Sequence, residues 1–275
     1  MAAIPVLKKK LKSVQATGKL SKAMKTVSAA KFSHLSTLWK NYSDYAGQFR
    51  FLYHEPDPDD VETTSETVVL MGSNRGFCGG FNNDVLNYYR ALLQTEAAPA
   101  HLLVCGNELA RVLNDEGIPY ERDFAFGDVP AFAECEGLIA YLLALAGERR
   151  NYRVRMIYPA YNNPMVQTPG SEWLTLNPDL GTGEADDDLW LPERESVRAD
   201  IFAAGARSIL FGAVLATALG AQASTLLTMR SAYDTAAEYS ESLEGEIHRL
   251  RQSKVTADVI ETSSERGSKG DESHG

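Results

Sequence analysis

Cysteine is scarce in this chain, and the pattern of what is there excludes two chemistries. The 275 residues hold three cysteines, Cys78, Cys105 and Cys135, odd in number and widely spaced, with no CxxC pair and no neighbouring histidine pair to complete a zinc site. A disulfide-built secreted scaffold and a structural zinc module are both excluded, and a reducing compartment fits. Proline is missing from Lys8 to Phe49 and again from Glu193 to Glu261, which removes the commonest helix breaker from both ends of the chain. The lysines of the first ten residues are followed by no apolar run of signal-peptide length, so a cytosolic place, or one on the inner face of a membrane, is expected. Disorder is excluded for the bulk of the chain, because 44% of the residues are hydrophobic, enough to bury a core.

Positive charge is scarce overall, at −10 net, yet it is concentrated. Residues 1–50 hold ten Lys/Arg against the single acid Asp44, about +9, which leaves about −19 for the other 225 residues. The basic arm lacks the clustered arginines of a nucleic-acid binder and has only a few interleaved aromatics, all at its far end. It reads as a helix face meeting water or an acidic protein, and no nucleic-acid partner is expected.

Between Lys8 and Phe49 only Gly18 and Gly47 interrupt helix-forming residues, and Leu35, Leu38, Tyr42, Tyr45 and Phe49 recur at alternating steps of three and four. Leu7, Leu11 and Val14 begin the same seam, and Met24 and Val27 resume it past Gly18. A helix of about 40 residues is about 60 Å long and needs a partner helix. It is expected to occupy residues 1–55 and to end near the His54–Asp60 stretch HEPDPDD.

From there short apolar runs, Thr67–Met71, His101–Cys105 and Tyr152–Tyr158, alternate with helical stretches near Asn83–Gln94, Glu108–Glu116 and Ala131–Ala146. That alternation predicts an α/β domain over 61–190 with a largely parallel sheet, an edge strand at Ser171–Leu176 and an acidic linker at Pro178–Asp188. A second long helix is expected over 193–261, followed by a disordered polar tail, 262–275. Within that helix Ser208–Met229 runs without a charge, long enough to span a bilayer. Its many alanines and polar residues and its lack of an aromatic belt favour a helix buried against other helices.

The remaining feature is GSNRGFCGGFN, Gly72–Asn82, with four glycines just after the first apolar run. A phosphate-binding loop of the GxxxxGK[ST] type is excluded because no lysine is present, and a dinucleotide GxGxxG is absent. Cys78 is a weak candidate nucleophile with no base partner in sequence, and reads better as a small packed residue. The preferred reading is a tight strand-to-helix turn in which Gly76, Gly79 and Gly80 permit positive φ and close backbone approach. No catalytic residue, cofactor or metal is expected. A nucleotide-binding enzyme with helical arms and a membrane-anchored coiled-coil adapter are the competing readings.

Those residues also carry a resemblance. GSNRGFCGGFN is similar to the S-D-R-G-L-C-G-G-F-N signature of the gamma subunit of F-type ATP synthases. Leu11–Phe32, LKSVQATGKLSKAMKTVSAAKF, resembles that family's first helix, and RLRQSKVT, Arg249–Thr256, its terminal R-Q-x-x-I-T. Three matches in order, at both ends and in the middle, are a specific signal. The resemblance implies an antiparallel coiled coil of the terminal helices inside the ring of alpha and beta subunits, with a Rossmann-like domain over a membrane ring of c subunits and an epsilon subunit as a further partner. It implies a non-catalytic rotor, peripheral to the membrane on its cytoplasmic face and touching it through the c-ring. On the matching positions it places Lys22, Met24 and Lys25 of the first helix, and Arg251, Gln252 and Thr256 of the last, against the beta subunits.

The sequence departs from the family where S-E-x-A-A-R-M-x-A-M is usual: Gly220–Met229, GAQASTLLTM, has Ala221 for the acid and Thr225 for the arginine, and Asp258 falls one position later than the usual glutamate. If the terminal helices pair antiparallel, cysteines introduced at facing seam positions cross-link within one chain, as read by non-reducing electrophoresis. Exclusively intermolecular products contradict the pairing.

Overall fold

The computed structural model describes residues 3–52, 65–146, 152–176 and 194–270. Five strands form one mixed sheet in the order β3-β2-β1-β4-β5. β1 (Ser65–Met71) lies between β2 (His101–Cys105) and β4 (Tyr152–Asn163), parallel to both. β3 (Arg122–Phe124) extends the parallel set, and β5 (Val166–Thr175) closes the other edge antiparallel to β4. Helices α1 (Ala3–Leu52) and α5 (Arg194–Gly270) bracket the chain, and α2 (Phe81–Leu92), α3 (Asn107–Asp115) and α4 (Glu136–Ala146) lie between strands.

The unbroken apolar character of β1 and β2 is explained by burial on both faces, as parallel strands require. Val69, Met71, Leu103, Cys105, Val154 and Met156 face α4, α5 and Leu35 of α1. Val68, Leu70, Leu102, Val104 and Ile157 face α2 and α3. On the first face Leu210, Val214, Leu215 and Leu219 of α5 are each 4% exposed or less. The uncharged stretch is therefore a core helix of the α/β body. It is apolar and long enough to cross a membrane by length and composition, and 67% of its apolar window is buried inside the protein.

The chain divides into two compact units, Thr26–Thr228 and a second made of Met1–Lys25 with Met229–Gly275. This cut differs from the expected one at the helix ends, because α1 and α5 each contribute to both units. The smaller unit is a helix pair. Gln15 Nε2 donates to Glu244 Oε1 at 3.1 Å, and Lys10 and Lys25 lie over the rings of Tyr239 and Tyr233, each at 5.0 Å. Met229, Ala236, Leu243 and Ile247 form the buried seam of α5 there, at steps of seven, seven and four. Opposite them Leu7, Leu11 and Val14 are half-buried and Gly18 and Ser21 fully so. Gly18 is thus part of the seam and not an interruption: a Cβ there would stand 3.3 Å from Cβ of Ala236, so the small residue lets the helices approach.

Two seam assignments are corrected. Val27 and Tyr45 are 53% and 49% exposed, whereas Ser28, Leu35 and the half-buried Leu38 and Tyr42 continue the inward face. A strict three-four count drifts against the 3.6-residue turn, and the small polar Ser21 and Ser28 hid the true register. Phe49's side chain lies outside the described residues. The strand β3 was not foreseen because three residues with two charges carry no periodicity. β4 and β5 run longer than expected because Pro159, opposite Pro169, and Gly170 read as breaks, although a proline is tolerated at an edge. The stretch expected as a helix from Ala131 begins as a 3-10 turn at Phe132–Cys135. At the carboxyl end α5 continues to Gly270 where a disordered tail was expected, through a run without proline. The acidic linker lies outside the described residues.

Leu35 is fully buried, so Leu35→Ala is expected to lower stability by about 2–5 kcal/mol, while Val27→Ala stays within about 0.5 kcal/mol. Urea denaturation monitored by circular dichroism checks the pair, and comparable losses contradict the register.

Candidate functional site

In open α/β sheets ligands bind at the carboxyl ends of the strands, and the glycine-rich turn Gly72–Asn82 leaves β1 there. The turn is closed on itself. Asn82 Oδ1 accepts the Ser73 N–H at 2.9 Å, Asn82 Nδ2 donates to Ser73 Oγ at 2.8 Å, and Ser73 Oγ donates to the Arg75 carbonyl at 2.8 Å. Gly72 N–H donates to the Cys105 carbonyl at 2.8 Å, which ties the turn to the end of β2.

The backbone amides at the start of α3 are engaged by the turn. The first amides of α3, Glu108 and Leu109, donate to the Ser73 carbonyl at 3.1 and 3.4 Å, and the Asn107 amide donates to Asn74 Oδ1 at 3.3 Å. A Cβ on Gly106 (φ 111°) would stand 2.5 Å from the Gly72 carbonyl oxygen, so glycine is needed there for the two turns to meet. The crevice that remains has about 40 Å³, room for a water and far below the several hundred Å³ of a nucleotide site. Val214, Thr217, Ala218 and Ala221 of α5 line it from above. Helix α5 stands where a ligand would.

The four turn residues singled out in the sequence are brought together, with different parts to play. Gly79 alone of the three glycines takes a positive φ, 59°, and a Cβ on it would stand 3.0 Å from Thr228 Oγ1 of α5. Gly76 does not have a positive φ, and Gly80 has φ −80°, which corrects the expectation for both. The unforeseen positive φ, 66°, belongs to Phe77, whose side chain is 63% exposed. Cys78 is buried with Phe81 and Ala221, and its carbonyl accepts from Ser224 Oγ of α5 at 2.5 Å. Its thiol is pushed up, chiefly by burial and against the opposing hydrogen bond with Ser73. A buried thiol with a raised pKa is a packing residue and a poor nucleophile.

A second connection was missed by sequence reasoning because its members are far apart in the chain. Asp128 accepts from Lys31 of α1 and from Arg75 of the turn, the latter pair 2.9 Å apart at Nε. Asn74 Nδ2 donates to the Phe126 carbonyl of the same loop. No local pattern marks an aspartate that pairs with a lysine 97 positions away.

In the helical unit four of the six positions carried by the resemblance are exposed. Lys22 is exposed and Met24 and Lys25 are half-buried. Arg251, Gln252 and Thr256 are exposed, and Thr256 Oγ1 donates back to the Gln252 carbonyl at 2.9 Å. Beside them Val255, Val259 and Ile260 are 61–62% exposed, an apolar strip facing outward.

A family model described as ATP synthase matches residues 4–264. The chain belongs to the ATP synthase family. Among curated relatives, the ATP synthase gamma chain of Parabacteroides distasonis is 23% identical over 278 residues, covering 95% of this chain and 97% of that one. The gamma chain of Delftia acidovorans is 25% identical over 284 residues, with the same coverage. Among solved structures, a chain of the Euglena gracilis mitochondrial ATP synthase assembly of OSCP, F1 and c-ring superposes with a TM-score of 0.77 at 17% identity, covering 99% of this chain and 96% of that one. A chain of the Tetrahymena thermophila central stalk and c-ring gives 0.61 at 20%, covering 78% and 99%. The two solved chains share this fold.

Burial accounts for all three thiols. Cys105 is pushed up by burial, and Cys135 is pushed up to about 12 by burial and then by Glu134 and Glu136. Native protein is therefore expected to react slowly at all three cysteines with an aromatic disulfide reagent at neutral pH, and fast at all three in denaturant. One thiol reacting fast in the native state contradicts the packing assignment.

Proposed function

We infer that this chain is the gamma subunit of an F-type ATP synthase, the rotor shaft that couples ion flow through a membrane ring of c subunits to ATP synthesis and hydrolysis in a ring of alpha and beta subunits. The observation that carries the reading is the family match over residues 4–264, which takes in both terminal helices and the sheet together. The crevice beside the turn supports a non-catalytic role, because its volume of about 40 Å³ is too small for a nucleotide where such folds bind one. Relatives named ATP synthase gamma chain, and neighbours seen with F1 and a c-ring, support the alpha/beta ring and the c-ring as partners, and an epsilon subunit is proposed with them on the resemblance alone. The proposed location in a bacterium is the cytoplasmic face of the membrane, where the c-ring would hold the chain.

On this reading the helical unit turns inside the catalytic ring and presents a different surface to each beta subunit. A contact made in one orientation and not in the others shifts the population of that subunit's states. Lys22, Met24 and Lys25 on α1, and Arg251, Gln252 and Thr256 on α5, are the proposed contacts. The exposed strip of Val255, Val259 and Ile260 supports the α5 set, since it lies beside them without cover. Arg251 and Gln252 supply several donors to carboxylates or loop carbonyls. The cations of α1 are individually worth little and contribute through their sum.

A tagged chain is expected to bring down alpha and beta subunits in excess over itself. Assembled complexes carrying both Arg251→Ala and Gln252→Ala should hydrolyse ATP and pump more slowly, with stability changed by no more than about 0.5 kcal/mol because both positions are exposed. Parental rates in a correctly assembled double variant contradict the contact assignment, and failure to bring down either subunit contradicts the rotor reading.

A further inference from the structure

The geometry points to the glycine-rich turn as the mechanical joint of the rotor: Lys31, Arg75, Asp128 and Ser224 position the α/β body against α1 and α5 so that torque passes between them. This rests on the rotor reading above and adds the residues through which the twist is transmitted. The argument begins with what a rotor needs. A body fastened to one helix at one point pivots about that point, whereas fastening to two helices at separate points removes the pivot.

The turn is fastened to both. To α5 it is held by the Cys78 carbonyl, which accepts from Ser224 Oγ at 2.5 Å, and by the approach of Gly79 to Thr228, where a Cβ would come within 3.0 Å of Oγ1. Phe81 adds a buried contact, since a Cβ on Gly220 of α5 would stand 3.1 Å from its ring. To α1 it is held through Asp128, which accepts from Arg75 of the turn on one side and from Lys31 of α1 on the other. All of these contacts lie within the unit Thr26–Thr228, and both helices extend beyond it.

Both links are stiff despite the glycines. The turn is cross-braced by the paired Ser73–Asn82 hydrogen bonds. The Asp128 loop is braced by Glu134, whose carboxylate accepts the Gly127 and Ala131 amides at 2.6 and 3.0 Å, and by Asn74 donating to Phe126. The ion pairs are poorly placed to serve stability. Arg75 is 75% exposed at its side chain, and an exposed pair of this kind contributes little to folding. Asp128, at 15%, is the sheltered hub that receives both cations. A sheltered anion joining two elements through partly exposed cations fixes geometry more than it adds stability.

Assembled complexes carrying Asp128→Asn with Ser224→Ala test the joint, with ATP hydrolysis in uncoupled membranes and ATP-driven pumping measured side by side. Hydrolysis without an opposing gradient is expected to stay within about twofold of the parent, while ions pumped per ATP against a gradient fall at least about threefold. Ser224→Thr, which keeps the hydroxyl, should restore most of the loss when it replaces Ser224→Ala. A parental pumping ratio in the double variant overturns the proposal, and so does a parallel loss of assembly, hydrolysis and pumping, which marks the residues as structural only. A parent chain that fails to join alpha and beta subunits overturns the rotor reading and the joint together.

Discussion

The burial of one uncharged stretch of α5 against the sheet is the constraint on which the rest of this structure depends. Residues 209–219 cover one face of β1, β2 and β4, a surface the parallel strands cannot leave in water. Each large side chain so buried contributes about 1.5–3 kcal/mol, so four or five of them rival the whole net stability of a domain. The same contact sets the position of everything above it. One turn further along, Ala221, Ser224 and Thr228 meet the glycine-rich turn, and the crevice where an α/β protein would hold a ligand is filled by the helix.

Helix α5 thus fills the crevice that an α/β domain of similar outline leaves open for a ligand. In the P-loop the glycines free backbone amides for phosphate. Here the Ser73 amide is taken by Asn82, the first amides of α3 are taken by Asn74 and by the Ser73 carbonyl, and Gly79 serves to let a helix come close. The residues that separate the family from its usual pattern fit the same picture. Ala221 takes the place of an acid and is buried against Cys78 and Phe81, a site where an unpaired carboxylate would be costly. Thr225, in place of an arginine, turns its hydroxyl back to the Ala221 carbonyl at 2.8 Å.

Much of this was legible in the sequence, for reasons that differ by element. The central strands announced themselves because two-sided burial leaves a run such as Thr67–Met71 almost wholly apolar. The terminal helices did so because proline is absent. The seam of α1 was readable where it uses leucine and misread where it uses Gly18, Ser21 and Ser28, since close helix contact selects for size and not for apolarity. The turn reads as structural, but its non-glycine positive-φ residue, Phe77, gives no signal, because phenylalanine has no preference for that conformation. The Lys31–Asp128–Arg75 connection was invisible for a simpler reason: charges distant in sequence carry no mark of meeting.

Hydrogen exchange on the assembled or isolated chain tests the dependence on α5 most directly. If the α5 stretch and the sheet are one cooperative body, the amides of residues 210–223 exchange with the same opening free energy as those of β1 and β4. Exchange of that stretch at a markedly lower free energy, with β1 still protected, contradicts the account, because it shows the sheet standing without the helix that is held here to define it.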